Sequence, residues 1–129
     1  MAIKLKTVSK RNPRDPEASP KVYLSAVHGR QIGVEELSEE VAERCSLRRS
    51  DVQGVLIALM DIVPKEICRG NIVSFGDLGT FYVNVSSNGA ETTEEVSVAN
   101  VKSFKLVHKP TKKFKKHLRM IDPSLLTAS

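Results

Sequence analysis

The sequence predicts an α+β fold: a β-hairpin, a pair of helices, a run of strands and a closing basic helix. Three observations carry this. Apolar and polar residues alternate twice within the first 30 positions, apolar residues recur at helical spacing between 34 and 67, and glycine-bracketed apolar runs follow from 71 onward. The 129 residues fit one domain, of a size that buries only about 60 to 70 % of the surface its unfolded chain exposes, so stability is marginal in isolation. Hydrophobic residues make up 40 % of the chain, which excludes a disordered tail. No apolar run approaches the roughly 18 to 20 residues that span a bilayer. The start, Met1-Ala2-Ile3-Lys4-Leu5-Lys6, lacks the regions of a secretory signal, and the expected compartment is the cytoplasm.

Residues 3 to 8 alternate with the period of a half-buried strand, and residues 21 to 27 read as its partner. Between them Pro13, Pro16 and Pro20 forbid a helix and cannot donate to a ladder, which predicts a stiff loop. After Gly29 and Gly33, the residues Val34, Leu37, Val41 and Cys45 share one face of a helix over 34 to 45, with Glu35, Glu36, Glu39, Glu40 and Glu43 on the solvated side. Ser50 is the expected N-cap of a second helix, and Asp51 suits its positive end. In that helix Val52, Val55, Leu56, Leu59, Met60, Val63 and Ile67 form a stripe that Ile57 and Ile62 widen beyond one face; Pro64 should kink it or begin a new turn. The first helix cannot cover so much apolar surface, so a second copy of the chain is the expected cover.

Gly70 closes the second helix. A strand is then expected at 71 to 75, a bend through Gly76, Asp77 and Gly79, a strand at 80 to 85 and a hairpin-type turn at Asn88-Gly89. An acidic stretch with Glu91, Glu94 and Glu95 precedes a strand over 102 to 107 that sets Phe104 and Leu106 on one face. Residues 110 to 121 form an amphipathic helix with Phe114, Leu118 and Ile121 at i, i+4 and i+7. Cys45 and Cys68 are expected as small apolar core side chains, and His28, His108 and His117 show no metal-ligand spacing. No catalytic pattern has supporting context, so neither enzyme activity, metal nor cofactor is expected.

Charge is segregated along the chain. Residues 1 to 30 hold seven Lys and Arg against two Asp and Glu, residues 31 to 70 five against eight, residues 71 to 98 none against four, and residues 99 to 129 eight against one. Basic ends around an acidic middle suit a surface for a polyanion, because cations that neutralise phosphates release condensed counterions.

The element order resembles the bacterial HU and integration host factor family. The resemblance rests on Gly70, Val73 and the run Gly76-Asp77-Leu78-Gly79-Thr80-Phe81, which is similar to the family's Gly-Phe-Gly-Thr-Phe bend. A second block, His108-Lys109-Pro110-Thr111-Lys112 with Phe114-Lys115, is similar to the family's Phe-Lys-Pro-Gly-Lys and terminal helix, with His108 in place of Phe and Thr111 in place of Gly. A basic extension before such a core looks like the longer HU-related proteins. The resemblance implies a helical body under a three-stranded antiparallel sheet, in an intertwined homodimer with Val55, Leu56, Leu59, Met60, Val63, Phe75, Leu78 and Phe81 in its core. It divides the chain into an N-terminal β-hairpin extension (1–30), an HU-like DNA-binding domain (31–122) and a flexible tail (123–129). It further implies non-sequence-specific binding of double-stranded DNA by a histone-like, nucleoid-associated architectural protein.

The departures are as informative. The family's arm carries arginines and an Arg-Asn-Pro tip whose proline wedges between base pairs. Here residues 82 to 101 hold three glutamates and no Lys or Arg, and like charge repels phosphate, so no DNA arm is expected there. Lys10-Arg11-Asn12-Pro13-Arg14 places an Arg-Asn-Pro sequence on the N-terminal hairpin instead. It either replaces the arm or is a plain Asn-Pro turn between basic strands that guard a sheet edge. The expected phosphate contacts are Lys109, Lys112, Lys113 and Lys116 with Lys105, followed by Lys4, Lys6, Lys10, Arg11, Asn12, Pro13, Arg14 and Lys21. The alternative is an HU-fold dimeric scaffold for protein interaction with weak or no DNA binding, which the acidic segment 91 to 95 favours. No membrane or small-molecule partner is expected.

Overall fold

The computed structural model describes residues 1–126 and contains, in chain order, β1 (Ala2–Lys10), β2 (Lys21–Val27), α1 (Val34–Arg44), α2 (Arg49–Cys68), β3 (Val73–Ser74), β4 (Thr80–Ser87), β5 (Val101–Lys109), α3 (Lys112–Arg119) and β6 (Asp122–Leu125). The chain forms two units, one from Met1–Gln31 with the chain from Lys116 onward, the other Ile32–Lys115. Residues 122 to 125 return to the N-terminal hairpin, where β6 pairs with β1.

In the first unit β1 and β2 pair antiparallel, from Lys4 opposite Val27 to Lys10 opposite Lys21. The proline-rich connection folds into consecutive turns: Asn12 Oδ1 accepts from Arg14 N at 3.0 Å, and the Asn12 and Asp15 carbonyls accept from Asp15 N and Ala18 N. On the other edge of β1, β6 pairs parallel, with Ile3 opposite Pro123 and Leu5 opposite Leu125. Residues 123 to 125 are therefore a strand and not a flexible tail; Thr127 to Ser129 lie outside the described residues. Pro123 is tolerated because β6 is an edge strand, where its missing N–H leaves no ladder bond unmade.

In the second unit the two expected helices form and pack against each other, and Ser38 is the buried residue of α1. Ser38 is fully buried and its hydroxyl donates to the Val34 carbonyl at 2.6 Å, so the polar group is satisfied. The expected stripe is corrected accordingly: Leu37 and Val41 remain exposed, and the shielded positions of α1 include Val34, Ser38 and Ala42 instead. Arg48, not Ser50, is the N-cap of α2, and no side chain caps it. The helix runs unbroken through Pro64. Cys45 and Cys68 are both exposed free thiols, because each falls at a helix end and not in the buried stripe.

The strand expected at 71 to 75 shrinks to Val73–Ser74, as Gly70 at φ 90° and Gly76 at φ 57° turn the backbone on either side. The antiparallel sheet β3-β4-β5 is present. Asn88-Gly89 makes no tight turn of the kind that needs positive φ at both residues, since neither adopts it. Residues 88 to 100 instead form a long connection with two short 3₁₀ turns, closed where Asn88 N donates to the Asn100 carbonyl at 2.7 Å. Among the described residues no helix is long and apolar enough to cross a membrane.

Candidate nucleic-acid interface

The pairing of β4 with β5 sorts their side chains into two faces. Thr80, Tyr82 and Asn84 lie opposite Lys109, Val107 and Lys105, while Phe81, Val83 and Val85 lie opposite His108, Leu106 and Phe104. Lys105 and Lys109 thus share the polar face, and the Lys109 ammonium stands 5.6 Å from the centre of the Tyr82 ring. The opposite face is apolar and carries the end of α2, whose Ile67 and Cys68 line a cleft with Val83, Val85 and Phe104.

Three side chains, His108, Thr111 and Lys113, fix the junction that leads into α3. His108 stacks on Phe81 with ring centres 4.5 Å apart and meets Phe114 edge-on. Its Nε2 lies 2.8 Å from the Leu78 carbonyl, which can only accept, so that nitrogen carries the proton. The Thr111 hydroxyl donates to the Asp77 carbonyl at 2.6 Å and accepts from Phe114 N at 3.2 Å, capping α3. Lys113 Nζ reaches Asp77 Oδ2 at 2.8 Å; this hydrogen bond, and then the carboxylate's charge, raise the Lys113 pKa above its ordinary value.

On α3 the helical period places Lys112, Lys115, Lys116 and Arg119 on one face, away from Phe114. None of these, nor Lys105 or Lys109, forms an ion pair among the described residues. Of the expected phosphate contacts, Lys105, Lys109, Lys112 and Lys116 are therefore unpaired, whereas Lys113 is already engaged by Asp77. Lys115 and Arg119 join the group through helix periodicity, and Asp77 could not have been found locally because it meets Lys113 across 36 positions.

The hairpin cations also sort by register. Lys4, Lys6 and Lys10 of β1 and Lys21 and Tyr23 of β2 share one face; Ile3, Leu5, Val22 and Leu24 share the other. Arg11, Asn12, Pro13 and Arg14 sit at the tip, where Asn12 is used in the turn. Of the expected dimer core, Leu56, Leu59, Met60, Val63 and Phe75 line one open apolar cleft with Leu37 and Pro64. Val55 and Leu78 are half exposed, and Phe81 lies edge-on to Phe75 at 5.9 Å.

Two helices beneath an antiparallel sheet, a Gly76–Gly79 bend and a basic helix after β5 define a fold of the HU type. The chain belongs to the HU-HIG family, described as an HU domain fused to a wHTH, Ig or glycine-rich motif, whose pattern matches residues 1–123. Its fold is similar to a candidate bacterial DNA-binding protein from Bacteroides vulgatus ATCC 8482, at 13 % identity and TM-score 0.63, over 97 % of this chain and 48 % of that one. The chain thus spans about half the length of that structure. It is also similar to Anabaena HU in a cocrystal with DNA, at 17 % identity and TM-score 0.55, over 69 % of this chain and 99 % of that one. None of the curated proteins compared with the chain matches it.

Proposed function

We propose that the protein binds double-stranded DNA without reading its sequence, as an architectural, nucleoid-associated protein of the cytoplasm that works as a homodimer. The observation that carries this reading is the set of unpaired cations on β5 and α3, led by Lys109, Lys112 and Lys116. Ammonium groups attract phosphate without distinguishing bases, and their contribution is the release of counterions from the duplex. The HU–DNA cocrystal among the similar folds supports the choice of duplex as ligand. Lys4 and Lys6 add a second group of cations on the hairpin.

Dimerisation is supported by how little one chain buries. Among the described residues Val52 and Ile67 are the buried apolar side chains, while Leu37, Val55, Ile57, Met60 and Ile62 on the two long helices stay exposed. Apolar surface of that extent stabilises by about 25 cal/mol per Å² when removed from water, which a second chain would supply.

The protein-interaction scaffold keeps one specific observation in its favour: the 88–100 connection carries Glu91, Glu94 and Glu95 and no cation. Electrophoretic shift of a mixed-sequence duplex at two salt concentrations separates the readings. Strong retardation at low salt that fades at high salt, and a loss of binding in the Lys112→Ala/Lys116→Ala protein, support duplex binding; no retardation at either salt supports the scaffold.

A further inference from the structure

The hairpin tip holds a cleft of about 610 Å³ lined by Lys10, Arg11, Pro13, Lys21, Tyr23 and Leu24 among others, with no carboxylate in its wall. Three features of it are unexplained by folding. Lys10 and Lys21 stand directly opposite each other in the ladder, an arrangement of like charges that destabilises a hairpin. Neither they nor Arg11 and Arg14 form an ion pair among the described residues, although Asp15 and Glu17 occupy the same loop. Tyr23, moreover, keeps an aromatic ring 48 % exposed on the same face, with the Lys10 ammonium 6.0 Å from its centre, at the outer limit of a cation–π contact.

An aromatic platform beside a groove of unpaired cations is the arrangement that takes up single-stranded nucleic acid: a base stacks on the ring while the backbone phosphates meet the cations. Duplex DNA fits the tip less well, because its bases are already stacked and leave nothing for Tyr23. We infer that the tip cleft binds an unpaired nucleotide segment, with Tyr23 under a base and Lys10, Lys21 and Arg11 on the phosphates. The site shares no residue with the β5–α3 cations, and filling it relieves the Lys10–Lys21 repulsion.

The test is fluorescence anisotropy of the full chain with a labelled oligothymidylate and, separately, a mixed-sequence duplex. Tyr23→Leu should weaken oligothymidylate binding by about tenfold and leave the duplex unchanged, while Tyr23→Phe retains both. Lys10→Ala/Lys21→Ala, which removes the repulsion and so keeps the hairpin, should lower oligothymidylate affinity and flatten its salt slope by about 0.7 per lysine. The inference is overturned if the wild-type protein ignores oligothymidylate, if Tyr23→Leu binds it as well as wild type, or if Tyr23→Leu weakens both ligands alike. Failure of the duplex reading registers elsewhere, as unchanged duplex affinity in the Lys112→Ala/Lys116→Ala protein.

Discussion

Gly79 is held to glycine by two independent constraints. Its φ of 112° is a conformation L side chains rarely adopt, and a Cβ there would collide with the Lys109 carbonyl oxygen. Gly79→Ala should therefore lose at least about 2 kcal/mol of stability in urea unfolding, from strain of about 1–3 kcal/mol plus the backbone shift. Gly89→Ala, with open space and no positive φ, should stay within about 0.5 kcal/mol of wild type. Lys113, one of the expected phosphate contacts, is held by Asp77 in the folded chain. Its folded-state pKa is raised by Asp77, so the pair's contribution is complete below lysine's ordinary range and is lost as pH rises through the raised value. Asp77→Asn should thus differ from wild type in thermal stability at neutral pH by a small amount, and that difference should close as pH rises into the strongly alkaline range; both side chains are largely exposed, which keeps it small.

At the scale of elements, α3 depends on Thr111, whose hydroxyl joins the helix start to the Gly76–Gly79 bend. Thr111→Val should destabilise the protein by about 1 kcal/mol, measured by chemical unfolding, and loosen the first turn that carries Lys112. The elements with long, regular periods were legible: α1, α2 and the β1–β2 hairpin follow directly from apolar spacing. β6 was not, because Asp122-Pro123-Ser124-Leu125 has no strand period of its own and gains its ladder from β1 at the far end of the chain. Asn88-Gly89 misled for the opposite reason: a strong local turn signal yielded to the Asn88–Asn100 closure of a longer loop. The cations of the site were legible because charge is written in the sequence. Their sorting by face, and the Asp77–Lys113 contact, needed the strand register and the bend.

For the whole molecule, a chain whose long helices keep Val55, Ile57, Met60 and Ile62 in water should gain stability from association. The melting temperature should rise with protein concentration, as mass action requires of a dimer whose folded monomer is weak; a concentration-independent melting temperature with a monomeric sedimentation profile would remove the homodimer from the account. The central claim is that unpaired cations, and not base contacts, hold a duplex. The most direct measurement is the slope of log K against log salt for two unrelated duplex sequences. The account predicts the same affinity for both and a steep negative slope of about 0.9 per phosphate neutralised, shallower by roughly one in each of Lys112→Ala and Lys116→Ala. A flat slope, or affinities that diverge between the sequences while the slope is unchanged by these substitutions, would contradict it.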